Sequence, residues 1–127
     1  MNPEKLVFGF FIVMALTLNF GFVLGEIDNP THHHVYELAA AMFVSLVATI
    51  LKFGDRSHVG SLLLASSLVA DLQLFAAAIV WTIAEHIDKI GTTPEVMSSI
   101  VSLASGAMLA NIISVLLLVV ETITLRR

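Results

Sequence analysis

The sequence predicts an all-helical membrane protein, with four transmembrane helices bundled into a single domain over residues 1–127 and both termini cytoplasmic. Three observations predict it. Hydrophobic residues make up 57% of the chain and charged residues only 13%, about half the charged share of a soluble domain. The apolar residues gather into four runs, each able to cross a hydrocarbon core of about 30 Å at about 1.5 Å rise per residue. The basic residues sort to one side of those runs.

The first span covers residues 6–25. It is too long for the apolar part of a cleavable signal peptide, and the flank Gly25-Glu26-Ile27-Asp28 has no small-x-small pattern, so it is expected to remain as a helix. After the polar break from Glu26 to His34, the second span covers residues 35–51 and is barely long enough. The break from Lys52 to His58 leads into the third span, residues 59–84, and the break from Glu85 to Glu95 into the fourth, residues 96–123. The last two exceed the required length and are expected to tilt or protrude. Asn29-Pro30 and Thr93-Pro94 each set a capping side chain before a proline, the arrangement that opens a helix.

Orientation follows from charge. Lys5, Lys52, Arg56, Arg126 and Arg127 fall on one side of the spans and Lys89 alone on the other. This positive-inside bias puts both termini in the cytoplasm of a bacterial-type inner membrane. The outer face collects Glu26, Asp28, Glu37, Glu85, Asp88 and Glu95, and is expected to attract cations in a salt-dependent way.

Within the run from Val59 to Ala84, Asp71 is the one charged residue, and it sits near the midpoint. A carboxyl at that depth faces a bundle interior or a wet cavity and points to an ion or proton site. Ser67 precedes it by one helical turn on the same face. Asn111 of the fourth span and Ser45 of the second lie at similar depth, so Asp71, Asn111, Ser67 and Ser45 form the candidate site, with Asn111 as the expected partner of Asp71. Gln73 is expected to point elsewhere, along the direction of Ser66. Asn19, in the first span, reads as a packing residue.

Small residues mark close helix contacts. Gly21 and Gly25 form a GxxxG pair, and Ser102, Gly106 and Ala110 share a face of the fourth span. That face packs inside the bundle or forms a subunit interface; a homo-oligomer is expected, because four helices enclose little interior and symmetric assemblies are common.

His32, His33 and His34 open the second span on the outer face, and His86 lies at matching depth beside Glu85 and Asp88. Imidazole and carboxylate suit a divalent transition metal. Consecutive helical residues diverge by about 100°, so a metal would take one of the three together with His86 and a carboxylate, or symmetry-related copies. The same histidines could serve as a pH sensor. No other cofactor is implied.

Several classes are disfavoured. The chain has no cysteine, hence no disulfide or thiolate metal site. Its net charge of −4 gives no footprint for nucleic acid. No nucleophile–base spacing, glycine-rich phosphate loop or filter motif is present, so no enzymatic activity is expected.

In length and span count the chain resembles the small multidrug transporters, which act as dimers, and the small fluoride channels. The first family carries its essential glutamate in the first helix, whereas the first span here has no acid. None of the fluoride-channel motif residues is present. Neither resemblance assigns a residue.

The function these residues favour is a small homo-oligomeric inner-membrane channel or carrier for protons or monovalent cations. The alternatives are a non-transporting accessory or structural subunit that docks a larger membrane protein, and an outer-face metal or pH sensor.

Overall fold

In the computed structural model, residues 3–25, 34–54, 57–87, 89 and 91–125 are described. They form four α-helices: α1 (Pro3–Val23), α2 (Val35–Lys52), α3 (His58–Thr82) and α4 (Pro94–Leu125). All four are long and apolar enough to span a membrane. Consecutive helices run antiparallel. Each packs against its two neighbours, with α4 closing back on α1, so the bundle is a ring in the order α1, α2, α3, α4.

Local chemistry sets the helix ends. Ser57 caps α3, its Oγ accepting the Gly60 N–H at 2.9 Å. Thr93 opens α4 as expected, with Pro94 at the first helical position and the Val96 N–H donating to Thr93 Oγ1 at 3.3 Å. Gly54 follows α2 with φ of 89°, a conformation that favours glycine. α3 does not stop cleanly at the end of its apolar run. It widens into a π turn, Ile83–Ile87, and the Gly91 N–H folds back onto the Ala84 carbonyl at 3.0 Å.

Two boundaries differ from expectation. α1 ends at Val23, and Gly25 lies exposed beyond it with φ of 96°. Gly25 is therefore a helix-stop residue, not half of a packing pair. Lys52, expected in the polar break, is instead the last residue of α2. It is buried, with Nζ 4.5 Å from the centroid of the Phe8 ring, an arrangement that a cation–π attraction supports. Asn29 and Pro30 lie outside the described residues; the described part of α2 has His34 at its N-cap.

The apolar core is in two parts. One cluster includes Phe22, Leu38, Ala41, Leu74, Ala77, Met97, Ile100 and Ala107; Trp81 packs on it, 6.2 Å from the Phe22 ring. The other holds Phe8, Ile12, Ala48, Leu63 and Leu118. Between them runs a belt of buried polar residues: Ser45 and Thr49 on α2, Ser66, Ser67 and Asp71 on α3, Asn111 and Ser114 on α4. An ion pair between Lys5 and Glu121 at 3.3 Å brings the start of α1 beside the end of α4, at the same end of the bundle as Lys52.

Candidate functional site

Asp71 is the charged member of the belt and is 5% exposed. Ser45 Oγ donates to its Oδ1 at 2.6 Å, and Thr49 Oγ1 donates to its Oδ2 at 2.5 Å. Ser45 and Thr49 are one turn apart on α2, so their hydroxyls lie on one face and converge on the carboxyl, one to each oxygen. Thr49 Oγ1 is also 3.0 Å from the carbonyl of Ser45. A hydroxyl carries one hydrogen, so that of Thr49 is shared between Oδ2 and the Ser45 carbonyl as a three-centre bond.

The expected pairing of Asp71 with Asn111 is not made. Both amide atoms of Asn111 are buried and have no hydrogen-bond partner, and the same holds for Ser67 Oγ. Asp71 is turned toward the seam between α3 and α2, where the hydroxyls lie, while Asn111 belongs to α4. Ser45 and Asp71 are therefore brought together as foreseen, and Thr49 is the site residue that sequence reasoning missed. Its signal was the one-turn spacing from Ser45.

The second polar direction of α3 faces α4. Ser66 and Ser114 share a hydrogen bond at 2.5 Å between their hydroxyl oxygens. Seven residues on, the Gln73 amide lies directly against the backbone of Gly106, in the space a side chain at that position would take. Gly106 and the buried Ala110 thus serve contacts within the chain, while Ser102 is exposed. On α1, Gly21 lies against the Glu37 carboxylate of α2. Asn19 is fully buried: with its amide nitrogen toward α4, it donates to the Ala104 carbonyl at 2.9 Å and its oxygen accepts from the Met108 N–H at 3.0 Å.

The histidine site does not assemble among the described residues. His34 is exposed at the start of α2, and His86 is exposed in the π turn beside exposed Glu85. No group of three metal-ligating side chains converges among the described residues. His32, His33 and Asp88 lie outside them.

Residues 32–122 match a family of unknown function, DUF6394. The chain belongs to that family. The matched segment contains the whole polar belt of α2, α3 and α4 and leaves α1 outside it. No curated protein and no solved structure matches the chain.

Proposed function

We propose that this DUF6394 protein is a multi-pass membrane protein with cytoplasmic termini that acts as a small homo-oligomeric channel or carrier for protons, with monovalent cations as the related class, and that Asp71 is its intramembrane site. The observation that carries this reading is the buried Asp71 carboxyl, held inside the bundle by the hydroxyls of Ser45 and Thr49, one on each oxygen. Carboxyl groups held inside membrane bundles are typical of proton relays.

The membrane reading rests on what the helices leave uncovered. Only 28–39% of each candidate span is buried within the chain. Large apolar side chains such as Phe10, Phe43, Leu72, Ile79, Leu109 and Leu116 point outward. Such a surface suits lipid and is out of keeping with water. Lys5 and Lys52 share one end of the bundle, in keeping with a cytoplasmic end.

A second reading is favoured by a specific observation. The same two bonds tie α2 to α3, and an apolar groove of about 400 Å³ on the outer surface of α3, lined by Phe75, Ile79, Ile83 and Ile87, offers a surface to another helix. In that reading the chain is a non-transporting membrane subunit. Reconstitution in liposomes with an internal pH dye separates the two. The transport reading expects Asp71→Asn to abolish proton flux without loss of fold. Unchanged flux would make Asp71 a helix tie and leave the subunit reading.

A further inference from the structure

Three buried atoms of the belt are without a partner: Ser67 Oγ, Asn111 Nδ2 and Asn111 Oδ1. A polar group stranded away from water costs about 1–3 kcal/mol; a serine hydroxyl can turn to the carbonyl one turn before it, whereas the two atoms of Asn111 need a partner from another helix. Two contacts fix the level of Asn111. Ser66 meets Ser114, and Gln73 meets Gly106, which sets the antiparallel register of α3 against α4. In that register Asn111 stands beside the turn between Ser66 and Asp71, about 4 Å from Asp71 along the axis at ~1.5 Å per residue.

We propose that Asn111 is a second seat for the Asp71 carboxyl, which exchanges between the hydroxyl pair of α2 and the amide of α4. This rests on the reading of Asp71 as a proton site. The chemistry of the two partners matches. A protonated carboxyl and a primary amide pair through two hydrogen bonds: the carboxyl O–H donates to Asn111 Oδ1, and Asn111 Nδ2–H donates to the other carboxyl oxygen. One rotation of Asp71 therefore satisfies both stranded atoms of Asn111. The proton stays on the carboxyl throughout, and no covalent bond changes in the exchange.

The seat left behind is not stranded. Thr49 already lies 3.0 Å from the Ser45 carbonyl and keeps that bond. Ser45 can turn to the carbonyl one helical turn before it, as serines in helices do. The two arrangements thus differ by few hydrogen bonds, and the carboxyl carries its proton from the α2 side of the bundle to the α4 side. Among the described residues no other titratable group lies in the belt. The charged or titratable groups nearest to it on each helix are Lys5 of α1, Lys52 and Glu37 of α2, His58 of α3 and Glu121 of α4, all toward the helix ends.

The test is solid-state NMR on the full chain in liposomes, with ¹³C-labelled aspartate and the Asp71 carboxyl assigned by its loss in Asp71→Asn. The expected result is two sets of Asp71 correlations, one to Ser45 and Thr49 and one to the Asn111 amide. Asn111→Leu should remove the second set. The double variant Ser45→Ala, Thr49→Val should leave only the second. The proposal is overturned if Asp71 shows no Asn111 correlation in either the unaltered chain or the double variant. If both sets appear while proton flux survives Asp71→Asn, the transport reading fails and the two seats stand. If that substitution abolishes flux but no Asn111 contact is found, transport stands and the second seat does not.

Discussion

Asn19 of α1 and Met108 of α4 are joined by a side-chain-to-backbone hydrogen bond of 3.0 Å, and the same amide reaches Ala104 at 2.9 Å. Ala104 and Met108 are one turn apart, so the Asn19 amide spans a single rung of the α4 backbone ladder. The amide thereby ties α1 to α4 without requiring a matching side chain.

Because the Ala104 carbonyl and Met108 N–H can still bond each other, replacing Asn19 by leucine should cost only about 1 kcal/mol. Asn19→Asp should cost more, about 2–3 kcal/mol, because an acceptor oxygen then faces the Ala104 carbonyl. Equilibrium unfolding in mixed micelles measures both, and equal losses would argue against the amide bridge.

Thr49→Val keeps the shape of the side chain and removes its hydroxyl, leaving Asp71 Oδ2 without its α2 partner. A loss of about 1–3 kcal/mol is expected. In a double-mutant cycle, the coupling between Thr49→Val and Asp71→Ala, which leaves no group to bond the hydroxyl, should be about 0.6 kcal/mol, the average for membrane hydrogen bonds, and at most about 1.7 kcal/mol. Strict additivity would mean that the bond has no energetic weight.

Gly106→Ala places a methyl group where the Gln73 amide lies; that amide is the end of a flexible, half-buried side chain that can move aside, so the cost should stay below about 1 kcal/mol. Combined with Gln73→Ala the cost should disappear, and the better helix propensity of alanine should leave a gain of about 0.5–1 kcal/mol. Persistent destabilisation in the double variant would place the obstruction elsewhere.

The absence of native cysteine makes topology directly measurable. If both termini are cytoplasmic, as proposed, Phe53→Cys should react with an impermeant maleimide only in inside-out vesicles, and Thr92→Cys only in right-side-out ones. The opposite pattern would overturn the proposed orientation.

The four helices were legible because apolar runs interrupted by charge mark them without tertiary information. The level of the belt was legible too, since Asp71 and Asn111 lie near the midpoints of their helices, with Ser45 and Ser67 displaced toward the same end of the bundle. Partner choice within the belt was not. It depends on how each helix is rotated about its own axis, and helices that are apolar on every side carry no stripe to set that rotation. Thus Asn111 shared the level of Asp71 but not its bond, and Thr49 took that place. Gly25 illustrates a different limit. Glycine spacing suits a close contact and a helix end equally, and the chain uses this glycine for the second. Lys52 looked like a loop residue because its charge is evident in sequence and the Phe8 ring beneath it is not.

The one-turn interval between Ser45 and Thr49 has a mechanical consequence. Much of the surrounding core is alanine, including Ala41, Ala48, Ala70, Ala104 and Ala107, and such shallow side chains offer little resistance to one helix gliding along another. The hydroxyls act as a detent. An axial slip of α2 by part of a turn breaks both bonds to Asp71, whereas a slip of a whole turn, about 5.4 Å, brings one hydroxyl into the position vacated by the other. Only one of the two bonds is recovered there, because Ala41 and Phe53, which flank the pair by one turn, carry no hydroxyl; the pair therefore fixes a single axial setting of α2 against α3.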